Sequence, residues 1–332
     1  MIKILLYAFL FLLIITCAPC LYAQEKAQGQ SSGDIEINVE VGAGKYLGFT
    51  KSQTGGLWKG ISGFYPYWFP ISELRFPLDT WMFNGNVSVS FFKFISFQSG
   101  VKKSLKTGAG KMKESGWGFP GANTVYADSD SRIRAVFSDT DLAFSLFSAG
   151  PMSLKLGAGF LYQNYEFGCS NLVRWEFASG TPSVFASMGK TRKYELEYFI
   201  PYIKVLPVFK FMEEKLSFTL GFKYSPLTRA RDTDDYIPDG KKNSGKGKGH
   251  KTFIGLFNAK YVTSSGIFFT LGADYLYLLT NGVQKQYYYI SLLNLQRMAG
   301  GFIQGGYNGK LENKNESQQI SINLGVGYSF GL

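Results

Sequence analysis

The sequence predicts an all-β protein, a ten-stranded antiparallel β-barrel that spans a membrane. Three observations lead to this fold: apolar and polar side chains alternate with a period of two, aromatic residues and glycine are abundant, and short connections alternate with long ones. The chain carries 30 Phe, 21 Tyr and 39 Gly in 332 residues, with little helical periodicity. A transmembrane barrel needs an apolar outer face, a polar lumen and aromatic girdles at both interfaces.

The alternation is clearest at the end of the chain, in the segment SINLGVGYSFGL at 321–332. In an extended segment, successive side chains point to opposite faces. One face would then hold only large apolar residues, namely Ile320, Ile322, Leu324, Val326, Tyr328 and Phe330. Similar segments carry a charge on the other face, such as Lys155 or Asp274. A charge opposite a row of apolar side chains indicates a wet interior and a dry exterior.

Ten such segments can be traced, an even number as in bacterial outer-membrane barrels. They lie near 34–50, 71–93, 95–107, 132–148, 152–168, 192–211, 215–230, 251–263, 266–281 and 317–330. Short connections are expected at 93–94, 149–151, 212–214 and 263–265, and long ones at 51–70, 108–131, 169–191, 231–250 and 282–316. Such alternation is typical of periplasmic turns and extracellular loops. We expect the last strand to close the barrel, because unpaired backbone groups in lipid are costly.

The amino terminus has the features of a secretion signal. Lys3 gives a basic start, residues 4–15 are apolar, and Ala23 lies in a small-residue cleavage context. The apolar run is too short to span a bilayer as a helix, which takes ~20 residues. We therefore predict a signal peptide at 1–23 and a single outer-membrane barrel domain at 24–332.

Cysteine content and charge give further limits. Lipidation at Cys17 or Cys20 is an alternative to cleavage after Ala23. Cleavage would remove both of these cysteines and leave Cys169 as a single packing thiol without an internal disulfide. Removing Lys3 leaves 34 basic and 24 acidic residues, a net charge of +10. This charge favours anionic partners such as a membrane surface or acidic polymers. The lysines do not form a nucleic-acid footprint.

Several short stretches, in order, resemble the omptin family of ten-stranded outer-membrane proteases. They are DIEINVEVGAGK in the first strand, ISELRFPLD at the second-strand opening, GAGKMKESGW at a glycine-rich turn, FIPYI at 199–203, and LGFKYSPLTRARDTDDYIPDGK at the seventh strand and the acidic stretch after it. The resemblance extends over nearly all of the chain after the signal. It implies a barrel with a proteolytic site at its extracellular end.

The residues at the implied catalytic positions depart from the family pattern. Omptins activate a water between an aspartate–histidine pair and an aspartate pair, which requires a base that titrates near the working pH. The aspartate pair corresponds to Glu114 and Gly116, and the other wall corresponds to Asp234 and Tyr236. Phenols titrate near pH ~10 and replace imidazole poorly. His250, the one histidine of the chain, is expected in a solvated loop, with a relocated base as the alternative.

The implied lipid site also departs from the family pattern. Omptins hold lipopolysaccharide phosphate with charged side chains on the outer wall. Tyr162, Asn164 and Glu197 lie where the resemblance implies such charged residues, in part with the opposite sign. We therefore expect outer-membrane lipid as a partner without this particular lipopolysaccharide site.

Other motifs are weaker. Residues 42–45, GAGK, lack the Ser or Thr of a phosphate loop, so strand glycines are expected there. The DTDD run at 232–235 could hold a hard cation, although an acidic run at the base of a loop is more often plain surface. The lysines of 241–251 could bind anionic host polymers or belong to a flexible solvated loop. We expect no cofactor and no metal.

Three functions remain open, and whether the protein is an enzyme stays undecided. The first is an omptin-like barrel without classical protease activity, whose long extracellular loops bind a surface or host ligand. The second is an omptin-type endopeptidase with a rearranged site that uses Glu114, Asp234 and His250. The third is a narrow solute pore, which the filled lumen of a ten-stranded barrel disfavours. We expect a monomer in each case.

Overall fold

The computed structural model describes residues 35–58, 67–92, 94–105, 107–119, 122–177, 182–238, 240–288 and 310–331. The predicted signal peptide, with Cys17 and Cys20, lies outside these residues. The described strands are β1 (Ile35–Trp58), β2 (Tyr67–Pro77), β3 (Thr80–Phe91), β4 (Ile95–Ser104), β5 (Thr107–Phe119), β6 (Ala122–Ala149), β7 (Met152–Glu176), β8 (Ser183–Phe211), β9 (Leu216–Ser225), β10 (Thr228–Tyr236), β11 (Lys241–Val262), β12 (Ile267–Tyr288) and β13 (Lys310–Gly331). In the part of the chain described, no helix has the length and apolar character needed to cross a membrane.

The strands form one antiparallel ring with ten positions. Three of these positions are each filled by two consecutive strands, one above the other. These pairs are β2 with β3, β4 with β5, and β9 with β10. Pro77 and Pro226 lie at two of the interruptions, because proline cannot donate to the hydrogen-bond ladder. β1 pairs with β13 from Glu36↔Gly331 to Gly55↔Glu312, which closes the ring. The predicted ten-stranded barrel is confirmed.

The outer wall is divided into an apolar band and a charged upper part. On β13 the outward residues from Ile320 to Phe330 are apolar, and Leu324 is 63% exposed, whereas the inward Ser321 is 5% exposed. Ten residues of strand tilted by about 40° make a band about 26 Å tall, as a bilayer requires. Above the band the outward residues of β13 are polar, for example Glu316 and Glu312. The upper end, opposite Ile35 and Gly331, therefore extends beyond the membrane.

The predicted long loops are wrong in large part, because the strands continue far above the apolar band. β7 extends to Glu176 and β8 begins at Ser183, so most of 169–191 is strand. β10 and β11 are separated by residues 237–240 alone. In the lysine-rich stretch after residue 240, the glycines point inward and Lys246 and Lys248 point outward, whereas Lys241 points inward. A strand with water outside and polar groups inside lacks an apolar face, so its sequence resembles that of a loop.

The interior of the barrel is filled by side chains. In the membrane-embedded part, Lys204 forms an ion pair with Asp141, and Lys223 Nζ lies 2.6 Å from Asp139 Oδ2. An aromatic layer lies above these pairs: the rings of Phe76 and Tyr194 stack with centroids 4.5 Å apart. This layer forms the floor of the upper end.

Cys169 is buried in the upper part of β7, with 1% of its surface exposed. Burial raises the pKa of its thiol to about 12. It is a free thiol, as the sequence indicates. Its burial agrees with the predicted packing role.

Candidate functional site

A cavity of about 230 Å³ lies at the upper end, above the aromatic layer. It brings together all four positions that the resemblance implied, namely Glu114, Gly116, Asp234 and Tyr236. The pair on β5 and the pair on β10 lie more than a hundred positions apart in the chain. The strand register places them in one lumen, on β5 and β10.

Alternation along two strands directs these side chains inward. The lumen face of β5 carries Met112, Glu114 and Gly116. The lumen face of β10 carries Asp232 and Asp234. Asp232 and Asp234 are 4% and 3% exposed. The expectation that the DTDD run is plain surface is therefore wrong for both. β10 lies within the barrel wall, and its period of two buries every second residue.

The residue at the centre of the site is Arg192, which was not predicted from the sequence. Its Nη1 lies 3.1 Å from Glu114 Oε2, and its Nε lies 3.1 Å from Asp234 Oδ1. Nη2 also donates to Glu114 Oε1 at 3.4 Å, so the contact with Glu114 is bidentate. The Arg192 side chain is 4% exposed. One guanidinium thus joins the two remaining carboxylates across the cavity.

Burial and the ion pairs shift the titration of this cluster. Burial raises the pKa of the Asp234 carboxyl, although the neighbouring Arg192 opposes the rise. Burial also disfavours the charged guanidinium of Arg192, but Asp234 and Glu114 outweigh it and raise its pKa above the ordinary value. Asn243 Nδ2 donates to Asp234 Oδ2 at 3.1 Å, which holds the carboxylate in place. Arg192 therefore stays charged throughout the working pH range.

A second buried carboxylate lies below the first, on the same face of β10. Asp232 Oδ2 accepts hydrogen bonds from Asn313 Nδ2 at 2.7 Å and from Asn315 Nδ2 at 3.2 Å. Burial raises the pKa of this carboxyl as well. Gly245 is adjacent on β11, and a Cβ at that position would overlap Asp232 Oδ1. The glycine is therefore required by the close approach of the carboxylate.

Neighbouring side chains pack closely around the two positions that depart from the family pattern, Gly116 and Tyr236. A Cβ at Gly116 would lie 3.1 Å from Val125 Cβ, so a larger residue would have to displace that side chain. Tyr236 is 4% exposed and packs beneath the guanidinium of Arg192. Neither position holds a free acid or an imidazole base.

His250 does not lie in a loop, contrary to the sequence expectation. Its backbone belongs to β11, next to a register shift between Lys248 and Lys251. Its side chain is not among those described. Among the described residues, no group of three or more His, Cys, Asp and Glu is arranged to hold a metal ion.

The sequence model of the Omptin family matches residues 70–281, nearly two thirds of the chain. The chain belongs to the omptin family. The predicted family is confirmed, and this omptin is an outer-membrane β-barrel of bacterial type. No curated protein sequence matches it.

The solved structures agree with this fold. This omptin is similar to the outer membrane protease OmpT from Escherichia coli, with a TM-score of 0.71 and 17% identity over 91% of this chain and 99% of that one. At this identity the similarity establishes the fold alone. The translocator domain of autotransporter NalP from Neisseria meningitidis matches 95% of each chain at 11% identity, but its TM-score of 0.31 is too low to carry an argument.

Proposed function

We propose that this omptin is a non-hydrolytic binding protein of the outer membrane, whose upper cavity holds a surface or host ligand without cleaving it. The observation that carries the proposal is the Arg192 guanidinium between Glu114 and Asp234, at 3.1 Å from each carboxylate. Hydrolysis by a water between two walls needs free space and a proton acceptor there. A guanidinium occupies that space and accepts no proton.

The carboxylates are also poor candidates for a base. Glu114 is engaged bidentately by Arg192, and Asp234 accepts from Asn243 while it pairs with the same guanidinium. A base needs a free lone pair directed at the attacking water. Glu114 and Asp234 therefore act as anchors for Arg192 in this proposal, and the cavity wall serves binding.

The direct test is incubation of the refolded full chain with peptides that contain dibasic sites. We expect no cleavage by the wild-type protein. The Asp234→Ala variant and a neighbouring control, Asp235→Ala, should behave in the same way. Cleavage that Asp234→Ala abolishes and Asp235→Ala leaves intact would reject the proposal and establish the endopeptidase alternative.

The solute pore is the remaining alternative, and the interior packing argues against it. Lys102 Nζ lies 3.0 Å from Asp274 Oδ2, and Lys223 pairs with Asp139 at 2.6 Å, both inside the membrane-embedded part. Paired charges that span the lumen leave little continuous space for a solute. Conductance in planar bilayers measures this, and defined channel openings would favour the pore.

Export and chain organisation belong to the same proposal. Residues 1–23 act as a signal peptide that is removed, and residues 24–332 form one barrel domain that works as a monomer. The positive charge of the chain favours an anionic surface ligand. Mass spectrometry of the protein from outer membranes should give an amino terminus at Gln24. A lipid-modified Cys17 or Cys20 would reject this cleavage site.

A further inference from the structure

The outer wall above the apolar band carries a dense group of cations on β10 and β11. On both strands, every second residue faces away from the lumen. The exposed cations on this outer face form what we call the basic ladder, namely Arg229, Arg231, Lys246, Lys248 and Lys251. None of these five residues lines the upper cavity. The basic ladder is therefore a surface of its own, separate from the Arg192 site.

The strand register places like charges directly opposite each other in the basic ladder. Arg229 is opposite Lys248, and Arg231 is opposite Lys246 in the next row above. Like charges directly opposite on one face of a sheet destabilise it. Two such rows in succession indicate that an anion from outside the barrel balances these charges.

Other outward cations on the same wall are paired with acids. Lys51 Nζ, for example, lies 3.0 Å from Glu316 Oε2. In the part of the chain that the structure describes, no member of the basic ladder forms an ion pair. Glu197 is opposite Arg231 on β8, but it accepts a hydrogen bond from Tyr162 Oη at 3.0 Å instead.

The sequence around the basic ladder supplies no further acid that could neutralise it. From Glu36 onwards, every acid has a described side chain except Asp239, which comes just before β11. Lys242, opposite Asp235, lies between Asp239 and the ladder along β11. The charges of the ladder are thus left for a ligand to balance.

Most of the basic ladder stands above the level of the lipid headgroups. Phe253, the uppermost outward apolar residue of β11, is 37% exposed, and Lys246 lies three rows above it in the pairing with β12. Three rows on a strand tilted by about 40° rise about 15 Å, whereas one headgroup layer is about 6 Å thick. A lipid headgroup therefore reaches only the lowest cation, Lys251, and the upper rows need a longer ligand.

The outward residues next to the basic ladder are small and polar. Thr233 and Ser244 lie opposite each other in the row above it. Residues 228–235 and 241–251 contain no Phe, Tyr or Trp, so this face lacks the aromatic platforms on which proteins stack the bases of single-stranded nucleic acid. Hydroxyl groups beside cations instead suit a charged sugar polymer, whose own hydroxyls donate and accept hydrogen bonds.

We propose that the basic ladder binds a sulfated linear polysaccharide, which lies along β10 and β11 above the membrane. Two cations in a row, with rows about 7 Å apart, require a ligand with closely spaced anionic groups. Sulfate esters on neighbouring sugars supply this charge density, and the forked donors of arginine fit the oxygens of such an oxyanion. A polymer with carboxylates on alternate sugars alone would leave cations unpaired. This binding goes beyond the function proposed for the upper cavity, because the two surfaces share no residue.

The test uses the refolded full chain in micelles of a zwitterionic detergent and a fluorescein-labelled heparin dodecasaccharide. The matched ligand is a hyaluronan dodecasaccharide, which has the same number of sugars but carries carboxylates alone. We expect fluorescence anisotropy to show that heparin binds about tenfold more tightly than hyaluronan. Added salt should weaken the binding of heparin, because salt screens exposed charges.

Two double variants with the same change in net charge locate the binding. Arg229→Gln/Lys248→Gln removes one row of the basic ladder and should weaken the binding of heparin about tenfold. The control Arg134→Gln/Lys193→Gln removes two cations from the outer face of β6 and β8, where their side chains are 57% and 39% exposed. We expect this control to bind like the wild type. Heat-modifiable migration on a gel verifies that both variants are folded.

Several outcomes would overturn the proposed ligand or its location. Equal binding of hyaluronan and heparin by the wild type would reject a sulfated ligand, and this result needs no variant. An equal loss of binding in both double variants would show that net charge, and not the basic ladder, attracts heparin. Displacement of heparin by an oligothymidylate at the same concentration of charge would favour nucleic acid instead. Displacement by phosphatidylglycerol micelles would assign the ladder to lipid headgroups.

Discussion

The guanidinium carbon of Arg192 lies 4.4 Å from the centroid of the Tyr236 ring. Tyr236, at the position of the family's histidine, therefore makes a cation–π interaction with Arg192. Such an interaction is worth ~2 kcal/mol or more when desolvated. Together with Glu114 and Asp234, Tyr236 completes a binding site for the chain's own arginine. The altered positions and Arg192 form one packed unit, which has consequences for attempts to restore catalysis.

Restoring the family residues should not restore proteolysis. We expect the double variant Gly116→Asp/Tyr236→His to cleave no dibasic peptide, because Arg192 would still occupy the space for water and pair with the new acid. The additional change Arg192→Gly is required to open the site. Peptide cleavage followed by mass spectrometry measures this. Cleavage by the double variant alone would show that Arg192 does not block the site.

Removing Arg192 should destabilise the barrel and make its free energy of unfolding depend more steeply on pH. Arg192→Met leaves Glu114 and Asp234 without their cation, which costs about 3–5 kcal/mol of unfolding free energy. The raised pKa of Asp234 means that stability falls as pH rises from the ordinary aspartate value, about 4, through the raised value. Loss of Arg192 raises that pKa further, so the variant should lose more stability over this range.

Urea unfolding at several pH values, followed by tryptophan fluorescence, measures this effect. The control is Arg231→Met, because Arg231 is exposed on the outer face of β10. We expect the control to change the unfolding free energy by less than about 0.5 kcal/mol. An Arg192→Met variant as stable as wild type at pH 8 would mean that the carboxylates need no partner.

Two glycines on the same face of β11 should differ in their tolerance of a methyl group. A Cβ at Gly245 would overlap Asp232 Oδ1, whereas a Cβ at Gly247 would lie 3.1 Å from Thr280 Oγ1, a contact that a shift of a few tenths of an ångström relieves. We expect Gly245→Ala to lose about 1–3 kcal/mol, as overpacking does, and Gly247→Ala to lose less. Thermal unfolding of both variants compares them directly. Equal losses would contradict the packing around Asp232.

The ion pairs in the lower lumen should behave as coupled units. Lys204→Met leaves the Asp141 carboxylate buried without its cation and should destabilise strongly, by about 3–5 kcal/mol. The double variant Lys204→Met/Asp141→Leu removes both charges and should recover most of the loss. A double-mutant cycle in urea gives the coupling energy. Additive losses would show that the pair contributes no mutual stabilisation.

The sequence predicted the strands well because alternation is a local property. The outward apolar residues of β13, from Ile320 to Phe330, can be recognised without knowing any partner. The prediction failed where this signal ends, as in the upper parts of β7, β8 and β11. There water replaces lipid outside, and an outward lysine such as Lys246 makes a strand look like a loop.

The site was predictable only where the family resemblance pointed to it. Glu114, Gly116, Asp234 and Tyr236 were identified by their positions in motifs, and the structure places all four in one cavity. Arg192 belongs to no such motif. A weak signal existed, because Arg192, Tyr194 and Tyr198 share the lumen face of β8, but it did not reveal a partner.

The amino-acid sequence by itself determined the number of barrel strands, the face to which most side chains point and the absence of a histidine where the family has one. The first two properties depend on neighbours two residues apart, which any extended chain displays, and the third depends on motifs that can be matched to the family along the chain. Only the tertiary structure decided that Arg192 forms ion pairs with both Glu114 and Asp234, and that β8 extends further above the membrane than β10. Both depend on the ring closing with one register, since that register alone sets which distant residues face each other across the lumen.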